Sequence, residues 1–198
     1  QLYYSDASKW GDITYITNGN PDLKPEESIS YEIGIDQDLI HGFSASASLY
    51  KTKVKNLIDY VSDWDIDTNT SSSTYINTSK AKMIGGELGL KWRYNDLFIN
   101  SEYAYVKAEN EDTSYELARR PRQSLSTTVG LENPVYGLSA TLIAKSTSKI
   151  SATKDSKELP GYATVDLNGY WNLNPNTKLF SNIKNIGDVK YKTASYGG

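Results

Sequence analysis

Ile29-Ser30-Tyr31-Glu32-Ile33-Gly34-Ile35-Asp36 alternates without a break: Ile29, Tyr31, Ile33 and Ile35 fall on one side of an extended chain, and Ser30, Glu32, Gly34 and Asp36 on the other. Successive side chains of a β-strand point to opposite faces, so this period of two predicts a strand with one greasy and one wet face. After Asp38-Leu39-Ile40-His41-Gly42 the pattern restarts, with Phe43, Ala45, Ala47 and Leu49 against Ser44, Ser46 and Ser48. It recurs through Ile84, Leu88, Leu90 and Trp92, and through Leu97, Ile99, Tyr103 and Tyr105. Leu125, Thr127, Val129 and Leu131 repeat it, as do Leu138, Ala140, Leu142 and Ala144. Val165, Leu167 and Trp171, then Leu179 and Ile183, complete the set. The pattern predicts an all-β chain of about eight antiparallel strands and no helix.

The connections alternate as well. Short ones lie near Leu39 to Gly42, Tyr94 to Asp96, Asn133 to Gly137 and Asn174 to Asn176, with turn chemistry such as Asn95-Asp96, Asn133-Pro134 and Asn174-Pro175-Asn176. Longer polar stretches lie near Ser62 to Thr74, Glu109 to Arg120 and Ser151 to Pro160. A chain passing up and down through a membrane has tight turns on one side and long loops on the other. Trp92, Tyr94, Tyr136 and Trp171 stand beside the short turns, and Tyr60, Tyr75, Tyr103, Tyr105 and Tyr162 toward the long loops, where two aromatic girdles belong. Periodicity alone leaves two readings open: a membrane barrel with its greasy face toward lipid, or a soluble lipocalin-like ligand-binding barrel with that face inward.

Composition narrows the function classes. In 198 residues, 38% are hydrophobic and 12% aromatic, including 16 Tyr, which is too aromatic for disorder. No run of 18 apolar residues exists, so no transmembrane helix is expected. A net charge of −3 removes bulk attraction to nucleic acid. Without Cys, and with His41 as the single histidine, thiolate metal sites, disulfides and most catalytic triads are excluded; no enzyme and no cofactor is expected. Asp63, Asp65 and Asp67 superficially resemble a calcium loop, but Thr68 stands where glycine is required and Thr74 where glutamate is. Gly85, Gly86 and Gly89 lack the spacing of a phosphate loop.

Upstream of the first strand stands Asn18-Gly19-Asn20-Pro21-Asp22-Leu23-Lys24-Pro25-Glu26-Glu27-Ser28, followed by Tyr31-Glu32-Ile33-Gly34. This closely resembles the Asn-Pro-Asp/Asn-Leu-x-Pro-Glu box of TonB-dependent outer-membrane receptors and the strand after it. Gln1-Leu2-Tyr3 resembles the segment before the box. Further marks follow in the family's order: Leu49-Tyr50-Lys51 to Ile58; Asn77, Lys80-Ala81 and Gly86-Glu87; Arg120-Pro121; Val165-Asp166-Leu167; and Asn185-Ile186-Gly187-Asp188-Val189-Lys190-Tyr191. Pro21 and Pro25 cannot donate to a ladder, so the strand is expected to start after Pro25. Gly85-Gly86 marks a close approach, and Asn185 and Asp188 are placed to satisfy backbone groups where a strand gives way to a loop.

The resemblance implies strands 14 to 21 of a barrel of about 22 strands, with the plug, the upstream strands and the last strand, which normally ends in Phe, outside a chain that stops at Tyr196-Gly197-Gly198. An independent eight-stranded barrel is the arithmetical alternative. It further implies a Gram-negative outer-membrane location and uptake of a ferric siderophore or similar scarce large nutrient, driven by the TonB complex through the plug. Membrane lipid, lipopolysaccharide, bacteriocins and phages are the other implied partners; a passive or structural barrel is the competing function. In the outer loops Tyr3, Tyr4, Trp10, Tyr15, Trp64, Tyr75, Tyr115, Arg119, Arg120 and Arg122 are the ligand-capture candidates, since aromatics with arginine suit an anionic catecholate complex. The competing reading makes them girdle and loop-packing residues. Residues 1 to 40 contain no histidine to ligate haem.

Overall fold

A computed structural model describes residues 4–151 and 153–193. Its elements are all strands: β1 (Asp6–Trp10), β2 (Ile13–Asn18), β3 (Glu27–Asp38), β4 (Phe43–Asp65), β5 (Thr70–Tyr94), β6 (Leu97–Asn110), β7 (Gln123–Glu132), β8 (Tyr136–Lys145), β9 (Ser148–Lys149), β10 (Glu158–Leu159), β11 (Tyr162–Asn174) and β12 (Thr177–Ile183). Eight of them pair in the sequence β3–β4–β5–β6–β7–β8–β11–β12. The up-and-down reading therefore holds, and β3 begins two residues after Pro25.

Register explains why one face is greasy. Ile99, Val129, Ala140, Leu167 and Ile183 lie opposite one another across β6, β7, β8, β11 and β12. The next row joins Leu97, Leu131 and Leu138, and Tyr136 faces Trp171, which faces Leu179. The opposite face carries Asn100, Thr128, Thr141 and Asp166 in one row. Among the described residues the only buried hydrophobic side chains are Leu23, Ala81, Ala108 and Leu159, so no second layer covers the greasy face. Ile33 is 74% exposed and Leu138 57%. Ser101 and Thr127, hydroxyl residues stranded on that face, bond to each other at 2.9 Å. β3 and β12 each pair on one side only, and every side chain of both is exposed.

The short turns form as expected. His41 (φ 58°) and Gly42 (φ 77°) are both left-handed, the type I′ geometry that matches strand twist, and a Cβ on Gly42 would run into the Arg93 carbonyl. Asn133 Oδ1 accepts the Val135 and Tyr136 amides at 2.9 and 3.0 Å. Phe43 packs on Trp92 at 5.8 Å, and Trp92 stacks on Tyr94 at 6.3 Å, so the girdle beside the short turns is present.

Three expectations need correction. Residues 62–74 are not a long loop: β4 and β5 continue to Asp65 and from Thr70, joined by a four-residue turn. Residues 6–18 form a hairpin, with Gly11 (φ 61°) at the first turn position, and β2 pairs in parallel with Thr70–Thr74 of β5. The 151–160 stretch includes β10, which pairs with β9. Gln1-Leu2-Tyr3 and Tyr196-Gly197-Gly198 lie outside the described residues.

The chain divides into two compact units. One comprises residues 1–29, 52–82 and 110–114; the other comprises residues 30–51, 83–109 and 115–198.

Candidate functional site

In the first unit the box upstream of β3 is a clasp. Asn20 Nδ2 donates to the Tyr75 carbonyl at 2.8 Å, while its Oδ1 accepts the Asp22 amide at 3.0 Å. The Lys24 amide donates to Asn77 Oδ1 at 2.8 Å, and Asn77 Nδ2 donates to the carbonyls of Lys24 (3.0 Å) and Asn56 (2.7 Å). Asn56, at φ 55°, is a left-handed interruption in β4; its side chain donates to the Pro25 carbonyl, and the next-but-one amide, Ile58, donates to Glu26 Oε1 at 2.8 Å. Leu23, within the same box, is buried. Asn20, Leu23, Pro25 and Glu26 are therefore scaffold: their polar groups are consumed in tying the approach segment to β4 and β5.

The same unit collects the aromatic capture candidates. Trp10, at the tip of the β1–β2 hairpin, is 79% exposed, Tyr4 70%, Trp64 44% and Tyr15 39%. Tyr75 packs on Tyr60 at 5.2 Å, a structural contact. Tyr3 lies outside the described residues. Asp65 caps the β4–β5 turn: its carboxylate accepts the Asp67 amide at 2.9 Å, the Thr68 amide at 3.3 Å and the Thr68 hydroxyl at 2.8 Å. The Thr68 hydroxyl, then the two amides, hold its pKa below the ordinary carboxylate value. This acid serves a turn, and no metal-binding group of acids occurs among the described residues.

In the second unit the arginine candidates come near one another in sequence, and Arg122 is held in an ion pair. Arg122 makes a two-pronged pair with Glu116, its Nε donating to Oε2 at 3.1 Å and its Nη2 bonded to Oε1. Arg120 Nη1 approaches Met83 Sδ at 3.6 Å. Arg119 is left-handed (φ 59°), and its amide donates to the Lys149 carbonyl at 2.7 Å, linking two outer loops. Lys149 in turn binds Glu158 at 2.8 Å, which lowers the Glu158 pKa. Tyr115 is half-buried in the same loop. Tyr162, expected in a girdle, lies on the polar face and stacks on Tyr191 at 4.0 Å, because it stands an odd number of residues from Val165.

The polar face of the wall forms a trough lined by Ser46, Glu87, Lys91, Asn100, Glu102 and Lys145, charges of both signs, with Ala104 and Ile143 among them. Glycines shape it. A Cβ on Gly85 would come within 2.5 Å of the Tyr105 carbonyl and of the Tyr50 ring, and one on Gly86 within 2.8 Å of a Leu49 methyl. The expected close approach is thus Tyr50 lying across Gly85. Nearer the short turns, Lys178 Nζ sits 3.9 Å above the Tyr170 ring, whose hydroxyl donates to the Asn133 carbonyl at 3.1 Å. This shelf escaped the sequence reading; the cue was Tyr170, Lys178 and Phe180 sharing wet-face parity with Asn168 and Asn182. At the end of the wall Asn185 does what its position predicted: its amide donates to Asp166 Oδ1 at 2.7 Å, and its side chain both accepts the Val189 amide and donates to the Val189 carbonyl at 3.0 Å. Asp188 contributes a left-handed φ of 46° and an amide donated to the Asn185 carbonyl at 2.9 Å.

Among the described residues the geometry is that of a wall with a clasp and exposed aromatics. Comparison with known proteins agrees. The family described as "TonB dependent receptor-like, beta-barrel" matches residues 1–186. The vitamin B12 transporter BtuB of Photobacterium profundum is 28% identical over 93% of this chain and 30% of its own length. The probable TonB-dependent siderophore receptor PiuA of Acinetobacter baumannii is 25% identical over 94% and 26%. Among solved structures, the copper transporter OprC superposes with a TM-score of 0.75 at 20% identity, covering 88% of this chain and 27% of OprC. The ferric enterobactin receptor PfeA of Pseudomonas aeruginosa gives 0.72 at 22% identity, covering 94% and 30%; these two likenesses speak for the fold. The chain spans under a third of the relatives it matches. It belongs to the TonB-dependent receptor β-barrel family, a family of non-enzymatic proteins of the Gram-negative outer membrane.

Proposed function

We propose that this chain is the C-terminal portion of the barrel of an energy-coupled transporter that takes up a ferric siderophore or a comparably large, scarce nutrient. The observation that carries the reading is the exposed aromatic set of the first unit, Tyr4, Trp10, Tyr15 and Trp64. Large flat side chains bury much ligand area at small entropic loss, so they suit a bulky, delocalised ligand. The open edges support the portion reading. An unpaired strand edge in hydrocarbon leaves amides and carbonyls without partners, at several kcal/mol each, so β3 and β12 require neighbours that the described residues do not supply. Opening would depend on the TonB complex acting through a plug.

Vitamin B12 is the second reading, favoured by the 28% identity to BtuB and by the engagement of Arg122 with Glu116, which leaves fewer guanidinium groups for an anionic catecholate. The full receptor encoded at this locus, expressed in a strain lacking its other receptors, would be offered radio-iron catecholate siderophore or labelled cyanocobalamin. Accumulation of one nutrient that disappears when TonB is deleted is expected. Uptake that persists without TonB would instead support a passive barrel.

A further inference from the structure

We propose that the wet face of the wall, beside its short turns, carries a site for one planar, negatively charged aromatic group of benzoate type. Register builds it. One row across the strands joins Phe98, Gly130, Ser139, Asn168 and Asn182. The next row, nearer the turns, joins Glu132, Gly137, Tyr170 and Phe180, and Lys178 has the same parity as Phe180 on β12. The two glycines let two rings lie down on the wall. A Cβ on Gly130 would stand 2.8 Å from the Phe98 ring, and one on Gly137 would run into the Tyr170 ring. Tyr170 is pinned there by its hydroxyl, which donates to the Asn133 carbonyl at 3.1 Å. A cavity of about 340 Å³ is lined by both rings, by Phe180 and Lys178, and by the polar side chains of Ser139, Asn168 and Asn182.

Charge then selects the occupant. The Arg93 guanidinium stands 5.5 Å from the centre of the Phe98 ring and is bonded to Glu132, so those two charges answer each other. Lys178 Nζ lies 3.9 Å above the Tyr170 ring, and among the described residues it forms no ion pair. A ring face attracts an ammonium without neutralising it, so the site keeps a positive charge. Ligand pockets run from about 300 to 1,000 Å³, which makes this one room for a single ring-bearing group and not for a whole bulky nutrient. Phe180, 75% exposed, offers a second ring the offset or edge-to-face contact that aromatic pairs prefer. The hydroxyl of Ser139 and the amides of Asn168 and Asn182 are there for substituents of that ring. A bare phosphate would leave Phe180 unused, and an uncharged ring would leave Lys178 unanswered; an aromatic carboxylate or catecholate uses both. Such a group comes either as a free acid or as a substituent of a larger nutrient. Every residue of the site belongs to the second compact unit, whereas Trp10 and Trp64 belong to the first, so the site does not rest on the uptake reading.

The test is equilibrium dialysis of radiolabelled salicylate against the full receptor in mild detergent, with folding checked by heat-modifiable gel migration. A charge-assisted hydrogen bond is lost in Lys178→Gln, so binding is expected to weaken by about tenfold or more, and Lys178→Arg is expected to restore most of it. Phe180→Ser is expected to cost about fivefold through the lost ring contact, and it carries the test if Lys178→Gln does not fold. Salicylamide, planar but uncharged, is expected to bind at least about tenfold more weakly than salicylate. Trp10→Ala with Trp64→Ala is expected to leave salicylate binding unchanged. Displacement of the probe by an iron-loaded catecholate siderophore identifies the natural group as one carried on the nutrient, and a siderophore that does not displace it identifies a free aromatic acid. The proposal is overturned by absence of salicylate binding to the intact receptor, as when the protein's own plug fills the cavity. Equal binding of salicylamide, undiminished binding by folded Lys178→Gln or Phe180→Ser, or loss of binding in the double tryptophan variant would overturn it as well.

Discussion

Replacing Asn77 by Ala tests whether the box upstream of β3 is a cooperative clasp or a set of independent contacts. Asn77 makes three hydrogen bonds, two to Lys24 and one to Asn56. A hydrogen bond within a folded protein is worth about 1 kcal/mol net, and the two to Lys24 are solvent-accessible, so the loss is placed at the lower end, about 2 kcal/mol. At 1.4 kcal/mol per decade this is roughly a thirtyfold increase in local opening. The assay is amide hydrogen exchange in the folded receptor. The Lys24 amide loses its acceptor directly and is uninformative. The informative amide is Ile58, which donates to Glu26 and does not touch Asn77. If Asn77 holds residues 24–26 against Asn56, exchange at Ile58 accelerates by about the same thirtyfold factor. Asn77→Asp keeps the acceptor for Lys24 but aims a carboxylate at the carbonyls of Lys24 and Asn56, and is expected to do no better than Ala. Ile58 exchange unchanged in Asn77→Ala, with only Lys24 affected, would refute the clasp.

Three further outcomes follow from single contacts. Gly85→Ala sets a methyl against the Tyr105 carbonyl, a backbone atom with no room to yield, and should reduce the heat-modifiable folded fraction, consistent with about 1–3 kcal/mol of overpacking. On the greasy face, Ser101→Ala strands the Thr127 hydroxyl and should destabilise the barrel by about 1–3 kcal/mol in a urea titration, whereas Ser101→Ala with Thr127→Val should be nearly neutral. Asp65 has a depressed folded-state pKa, so its support of the β4–β5 turn is complete above the unfolded carboxyl value, about 3.9, and is lost as pH falls through the lower folded value; pepsin nicking near Ile66 should rise over that acid window, and Asp65→Asn should remove the pH dependence.

The wall was legible because a membrane imposes a strict chemical contrast. With lipid on one face and water on the other, the strands from Phe43, Leu97, Leu125, Leu138 and Val165 could be placed by alternation alone. The signal vanishes where both faces are wet. Ser71-Ser72-Ser73-Thr74 reads as a loop by composition, yet it is strand, because outside the bilayer hydrogen bonding to β2 needs no greasy side chains. The β1–β2 hairpin was hidden for the same reason, although Gly11-Asp12 carried a turn cue. Among the candidate site residues, exposure of Trp10 and Trp64 could be expected from loop position. The capture of Arg122 by Glu116 could not, since it depends on the Glu109–Glu116 bridge that folds the loop back.

The division between scaffold and surface bears on where selectivity resides. Asn20, Asn56, Asn77, Glu26 and Asn185 all have side-chain polar groups committed to backbone partners, which fixes the approach to β3 and the departure from β12. A side chain so committed cannot contribute to ligand discrimination without releasing a partner, and leaving a part-buried carbonyl such as that of Asn56 unpaired costs about 1–3 kcal/mol. Trp10 and Trp64 carry no such obligation, and exchanging them leaves every hydrogen bond of the clasp in place. Selectivity should therefore change with substitutions at those tryptophans while the fold stays intact, and substitutions within the box should change folding before they change the nutrient. A variant at Asn20 that retained wild-type exchange protection at Ile58 but altered nutrient preference would contradict that division.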